Sequence, residues 1–306
     1  MARMLRVGGI QRRRPPSITG GNAQMFNVRK PREALARTLA IARAHAGSKT
    51  SIFGFSRGLL RTACDGFSAI ALVLGMSSQV AQAIVIDFEA LDTTNVSFPP
   101  FFVQGDEFYQ GGFWMDPFSN APSAQNGDLV GALVDGAAVG TDCNGNGLLC
   151  PTNNPSHFYA ALNDGVLALG NLNNLLFTVK SFDAGFIADL SGNPIPAVAG
   201  AVRLQGHTPA GPSFTQTFFL PGPDSSGALN FSTFNTTGSF STRLFDELFV
   251  FGFVCDSTGS CSAFTSDQAQ FGLDNVNVSV VPEPAPLALM AAGVVAMGAL
   301  RRRRSA

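Results

Sequence analysis

Basic residues almost vanish between positions 84 and 281. Only Lys180, Arg203 and Arg243 remain there, against 18 acids, so this segment stands at −15 while the whole chain is near neutral at −1. A body this acidic repels polyanions, which excludes nucleic acid as a partner, and its acid excess suits solubility or the binding of divalent cations. Helical periodicity is also missing, apart from a turn around residues 242–247. There is no G-x-S-x-G, no H-E-x-x-H and no P-loop. Two of the three histidines, His157 and His207, lie in the segment. A serine or cysteine nucleophile would need one of them beside a supporting acid, but both read as surface residues. Tryptophan and tyrosine are scarce. Tyr109, Trp114 and Tyr159 are the residues that could stack on a sugar, and each fits a core position equally well. The 27 phenylalanines predict a core built on that side chain.

Cysteine is sparse but even in number once residues 1–83 are set aside. Cys64 falls in the leader, and four remain as two local pairs, Cys143 with Cys150 and Cys255 with Cys261. Four cysteines allow three pairings. Local disulfides are expected, because each pair brackets a turn-rich loop. No pair has the C-x₂-C spacing of a zinc site.

What is abundant is short apolar, β-branched segments between Gly, Pro, Asn and Asp clusters. They cover residues 84–88, 107–114, 129–134, 158–162, 166–169, 175–182, 198–204, 214–220, 229–234, 248–254 and 271–280. In Leu273-Asp274-Asn275-Val276-Asn277-Val278-Ser279-Val280 nearly every second residue is apolar, the mark of a strand with one buried face. Many short strands with turns between them predict a mainly β fold, an antiparallel β-sandwich of jelly-roll type. A leader or signal helix should precede it and a hydrophobic helix should follow it.

Both flanks carry export signals. Residues 67–76 form an apolar core of signal-peptide length, preceded by Arg57 and Arg61 and followed by Ala81-Gln82-Ala83, a small-x-small cleavage site. Residues 57–83 therefore read as a secretory signal peptide handled by Sec machinery, with Ile84 as the new N-terminus. A leader ending at Ala83 is far longer than the usual about 15–30 residues. Residues 1–56 are rich in Arg and hold one acid, Glu33. They read as a non-native or disordered basic leader from a start placed too early, with a transit peptide or long signal extension as alternatives.

The C-terminal tail is the most informative stretch. Pro282, Glu283 and Pro284 come first, then an uncharged run over 285–300, then Arg301, Arg302, Arg303 and Arg304. The prolines keep the approach extended. The run of 16 residues is slightly short of the about 17–25 of an ordinary spanning helix, which suits a temporary anchor. The arginines stay cytoplasmic by the positive-inside rule. Residues 282–306 resemble the PEP-CTERM sorting signal of Gram-negative bacteria, and Gln270-Phe271-Gly272-Leu273-Asp274 resembles the QFxxD form that precedes it in some members. The resemblance implies an exosortase as partner, transient residence in the inner membrane, and release to the cell surface or beyond. A simple tail anchor is the alternative.

The order of strands in the acidic domain, residues 84–281, is similar to that of galactose-binding-like and carbohydrate-binding-module sandwiches. That likeness implies a structural calcium near the closing and first strands, where Asp274 and Glu89 stand. A second cation candidate is Asp142-Cys143-Asn144-Gly145-Asn146-Gly147. Asp142, Asn144 and Asn146 match the opening of an EF-hand loop, but Asn153 stands where the twelfth-position Glu belongs.

Two functions follow. One is a non-enzymatic, exosortase-processed surface or matrix protein associated with exopolysaccharide and biofilm, with a sugar-binding body. The other is an exported hydrolase acting on polysaccharide, since 18 acids offer many carboxylate pairs. The cleavage site generates a first prediction. Mass-spectrometric sequencing of the exported form should find Ile84 at the N-terminus, within a residue or two, and a form retaining residues 1–56 would overturn the signal assignment.

Overall fold

The structure is a computed structural model, and it describes residues 82–190 and 194–281. The expected leader, the signal segment up to Ala81 and the hydrophobic tail lie outside these residues, while Gln82 and Ala83 of the signal segment fall in the first strand. Among the described residues, no helix is long and apolar enough to cross a membrane.

Sixteen strands build two antiparallel sheets. They are β1 (Gln82–Ile86), β2 (Asp92–Asn95), β3 (Phe101–Val103), β4 (Glu107–Gln110), β5 (Phe113–Ser119), β6 (Leu129–Asp135), β7 (Leu148–Leu149) and β8 (His157–Ala161), followed by β9 (Gly165–Asn171), β10 (Leu176–Asp189), β11 (Val198–His207), β12 (Ser213–Pro221), β13 (Ser232–Asn235), β14 (Glu247–Cys255), β15 (Cys261–Ser262) and β16 (Gln270–Val281). Sheet A runs β13-β10-β16-β8-β6-β3, with β1 also on β16 and β7 on β10. Sheet B runs β12-β11-β14-β9-β5-β4-β2, with β15 on β14. The chain passes repeatedly from one sheet to the other, as β8, β9, β10 and β11 show in succession. The expected antiparallel sandwich is the observed architecture.

Phenylalanine fastens the two sheets. Phe102 of sheet A stacks on Phe108 of sheet B at 4.4 Å between ring centroids. Phe177 and Phe113 meet edge to face at 5.2 Å, and Phe182 and Phe218 at 5.0 Å. Such geometries suit the ring quadrupole and add about 0.5–1.5 kcal/mol beyond the area they bury. Tyr159 joins this core fully buried, so it is not available to a sugar. Its ring lies where Gly131 has no side chain, since a Cβ there would come 2.6 Å from the hydroxyl.

In β16 the alternation changes phase. Phe271 and Leu273 face the core, and then Val276, Val278 and Val280 do. The shift falls at Asp274-Asn275, where the pairing with β10 slips and Asn275 takes φ 49°. Asparagine tolerates that left-handed backbone better than most residues. A bulge there lets both halves of the strand bury their apolar side. The two adjacent polar residues inside an otherwise alternating segment are its trace in the sequence.

Other expectations need correction. The segment 107–114 is not one strand but a hairpin, because Gly111 and Gly112, both at positive φ, turn the chain between β4 and β5. Residues 229–231 precede β13 rather than belonging to it. Residues 242–247 form no helix: Phe245 pairs with Phe177 instead. A short helix, α1 (Val139–Asp142), appears where none was expected.

Both disulfides are local, Cys143–Cys150 and Cys255–Cys261. The first ties a segment whose Val139 and Leu148 pack on Ala132, Val134, Ala160 and Leu162, on the outer face of sheet A. The second closes the turn after β14, from which the chain carries Phe264 back onto Phe251 on the outer face of sheet B. Loops this short gain about 2.5 kcal/mol from chain entropy. The core predicts its own test. Phe177→Ala should lower unfolding stability by about 3–5 kcal/mol, read as a shift in urea midpoint at unchanged slope.

Candidate functional site

The outer face of sheet B is built by simple alternation. Leu248 and Val250 of β14, Val202 and Leu204 of β11, and Phe113 and Met115 of β5 point into the core. Their neighbours must point outward. The resulting face carries Trp114, Asp116 and Phe118 from β5, Glu247, Phe249, Phe251 and Phe253 from β14, and Arg203, Gln205 and His207 from β11. Register places them in rows. His207 stands opposite Glu247, and Trp114 lies between Gly170 and Tyr109. In the next row Gln205, Phe249, Ala168 and Asp116 follow one another across the strands. Arg203, Phe251, Val166 and Phe118 form a third.

The rows differ in how they are covered. Phe264 packs on Phe251, and the third row is an apolar cluster with Arg203 lying over the Phe253 ring at 4.7 Å. The first row is open. Trp114 is half-buried, and its indole lies on Gly170, where a Cβ would come within 2.5–2.8 Å of the ring. The glycine is what lets the indole lie against the sheet. Tyr109 stands beside it and takes a hydrogen bond from Asn95 at 3.1 Å. Two of the three aromatics expected as sugar platforms are therefore neighbours on one face.

Three carboxyl groups titrate high. Burial, helped by Glu107, pushes Asp116 up to about 6. Burial, with Asp246 and Asp116, pushes Glu247 up to about 7. Asp274 rises to about 6, again chiefly by burial. His207 is lowered by burial, with Asp246 opposing, and its ring edge meets Phe249 at 5.1 Å. Asp116 and Glu247 went unnoticed in the sequence. The strict outward series Glu247, Phe249, Phe251, Phe253 was the available signal, because a strand apolar on both sides implies a second packed face.

The expected cation ligands behave differently. Asp274 is fully buried and is satisfied by donors of the chain: Asn154 Nδ2 at 2.7 Å, Ser156 Oγ at 3.2 Å and the Asn275 N–H at 2.7 Å. Glu89 accepts the His157 N–H at 2.7 Å and pairs with His157 Nδ1 at 2.8 Å. The two acids thus bracket one segment, 154–157, and hold it through N–H and O–H groups. Asp142 ends α1 and accepts the Asp135 N–H at 3.2 Å, while Asn144–Asn146 is a 3₁₀ turn whose Asn146 amide donates to the Asp142 carbonyl at 2.7 Å. This is a capped turn, not an EF-hand loop. Among the described residues, no three His, Cys, Asp or Glu side chains form a group that could hold a metal ion. Asp142 and Asn146 instead rim a cleft of about 520 Å³ on the outer face of sheet A, floored by Ala132, Val134, Ala160 and Leu162.

The processing elements surround this body. Ala83 lies in β1, paired with Ser279, while Ala81 lies outside the described residues. Pro282, Glu283, Pro284 and the arginines 301–304 also lie outside them. In comparison with known families, residues 280–304 match the PEP-CTERM protein-sorting motif. The chain carries a PEP-CTERM sorting signal. The signal implies export to the envelope or surface of a Gram-negative bacterium and processing by an exosortase, a membrane protein. The PEP-CTERM match begins at Val280, inside β16, so no spacer separates the folded sheet from the motif. No curated protein matches the chain. Among solved structures, a cyclase from Fischerella sp. TAU is similar at 11% identity and a TM-score of 0.34, covering 66% of this chain and 98% of its own. TmCBM61 in complex with β-1,4-galactotriose is similar at 8% identity and a TM-score of 0.25, covering 56% and 90%. The arabinose-bound MgGH51 α-L-arabinofuranosidase is similar at 12% identity and a TM-score of 0.28, covering 63% and 26%. Likenesses this loose transfer neither ligand nor reaction.

The raised carboxyl groups generate a pH prediction. A carboxyl whose folded pKa exceeds its unfolded value holds a proton that the unfolded chain releases, so it favours folding as pH falls. Asp116, Asp274 and Glu247 act in this sense between about 7 and the ordinary carboxylate range. His207 opposes them, because burial disfavours its charged form. Asp224, lowered to about 2 by hydrogen bonds from Ser226, loses its contribution only at strongly acid pH. The thermal midpoint should therefore rise as pH falls from about 8 to a maximum near about pH 4, the ordinary carboxylate range, below which the unfolded chain is protonated too. A midpoint that falls steadily over that interval in calorimetry would contradict the assignment.

Proposed function

We propose that this is a non-enzymatic surface or extracellular-matrix protein, delivered by the exosortase route and associated with exopolysaccharide, whose acidic sandwich holds a saccharide on the outer face of sheet B. The PEP-CTERM match at residues 280–304 carries the delivery half of this reading. Trp114 lying on Gly170 beside Tyr109, with Asp116, Gln205 and His207 in the adjoining rows, supports the binding half. Apolar sugar faces stack on aromatic rings, and hydroxyls take hydrogen bonds from the polar groups around them.

A second reading rests on one observation. Asp116 and Glu247 share the face, and Asp116 helps to raise Glu247. Paired carboxyl groups with raised pKa values are the equipment of a glycoside hydrolase. Binding on a glycan array without turnover supports the first reading. Hydrolysis abolished by Asp116→Asn or Glu247→Gln would establish the second.

The delivery half has its own test. Replacing Pro282-Glu283-Pro284 by three alanines leaves the apolar run and the arginines untouched. Moving an arginine to the bilayer centre costs about 2.5–3.5 kcal/mol on insertion scales, so the C-terminal end should stay anchored. Membrane fractionation and immunoblotting should show the full-length variant trapped in the inner membrane. Processing and release like the wild type would mean an ordinary anchor cut by adventitious proteolysis.

A further inference from the structure

Building on the proposed saccharide face, we infer that its ligand is a cationic amino-sugar polymer, one whose sugar rings carry free ammonium groups, rather than a neutral or acidic glycan. The ring would stack on Trp114, and its ammonium groups would meet Asp116 and Glu247.

Charge excludes one class outright. Residues 84–281 hold 18 acids and three basic residues. A glycan rich in uronate, sulfate or phosphate would approach against that field. The one arginine on the face, Arg203, donates to Thr217 Oγ1 at 2.8 Å and covers the Phe253 ring. Arg203 stands in the third row of the face, away from Trp114, and burial disfavours the charged form of His207.

The carboxylates separate neutral from cationic ligands. Asp116 and Glu247 sit half-buried among aromatic and aliphatic side chains. Neither accepts a hydrogen bond from the chain nor pairs with a cation among the described residues, where the one ion pair is His157 with Glu89. This contrasts with Asp224, Asp256 and Asp274, each of which is held by several donors. An unpaired carboxylate at a half-buried site is a destabilising feature that a bound cation relieves, because charge-assisted hydrogen bonds are among the stronger ones. Burial without a counter-charge is also the main reason both groups titrate high. Neutral sugars would supply hydroxyl donors but no charge.

The aromatic neighbour selects a flat sugar over a flexible cation. Trp114 is fixed against Gly170, and indole attracts cations better than other rings do. A pyranose with an ammonium substituent satisfies the ring through its C–H face and the carboxylates through its nitrogen. A lysine-rich peptide satisfies only the second. A metal ion is disfavoured because no three suitable side chains converge among the described residues.

Trp114 is the single tryptophan of the chain, so its fluorescence reports this face alone. Titrations would use glucosamine hexamer, N-acetylglucosamine hexamer and hexalysine with the exported body. The glucosamine hexamer should bind more tightly than the acetylated hexamer by about tenfold, the worth of one charge-assisted hydrogen bond. Asp116→Asn and Glu247→Gln should each erase that preference while leaving the circular dichroism of the body unchanged. Equal affinity for the two hexamers would overturn the amino-sugar inference yet leave a saccharide face. Equal affinity for hexalysine would reduce it to plain charge attraction and overturn it. No response to either sugar, together with an empty glycan array, would remove the saccharide reading itself.

Discussion

Strand β16 has both hydrogen-bonding edges filled. Along one edge it pairs with β10 from Gln270 to Val281; along the other it takes β8 at Phe271–Leu273 and β1 at Val276–Val280. Sheet A thus has the last strand of the body at its centre, and without it β1 loses its partner and β10 is cut off from β8. Its inward residues, Phe271, Leu273, Val276, Val278 and Val280, belong to the core that meets sheet B. The bulge at Asp274-Asn275 keeps all five on the same side despite the phase change. The fully buried Asp274 then ties β16 to segment 154–156, and Glu89 ties the same segment to the chain that follows β1. The body can complete its fold only when its C-terminal strand is in place.

From that constraint comes a division of labour between faces. The inner faces of the two sheets are consumed by the phenylalanine core. The outer face of sheet A is covered in part by segment 136–150, fastened by Cys143–Cys150. The outer face of sheet B is covered by Phe264 only over its third row. Trp114, Asp116, Glu247 and His207 stay half-buried beside that cover. A large aromatic surface left next to unpaired carboxylates is unfavourable for stability alone, so this face is where function is best sought.

The sequence made the class of fold legible because alternation is local. Residues 198–204, 214–220 and 271–280 lie within the strands they predicted. The disulfides were legible for the same reason, each spanning a short loop. The hairpin at Gly111-Gly112 was missed because apolar residues continue on both sides of it. The site was missed for a different reason. Asp116 and Glu247 are 131 positions apart in the chain, and only the register β5-β9-β14 brings them onto one face. The surroundings of the calcium candidates were not legible either. In the 142–146 segment Asp142 accepts the Asp135 N–H and the Asn146 amide donates to the Asp142 carbonyl, contacts that spacing alone does not show.

The same central strand places the sorting signal. Val281 is the last paired residue of β16, opposite Leu176, and Pro282 follows it. Proline has no N–H to give a ladder, so regular pairing has a chemical stop at that position. Two requirements meet there. The sheet uses Val280 in its core and Val281 in its last pair with Leu176, and the PEP-CTERM match starts at Val280, so the two share these residues. Cutting beyond Val281 removes no core residue. A cut inside β16 would instead take Val278 or Val280 out of the core. The fold itself thereby defines which side of Pro282 a processing enzyme can cut and still release an intact body.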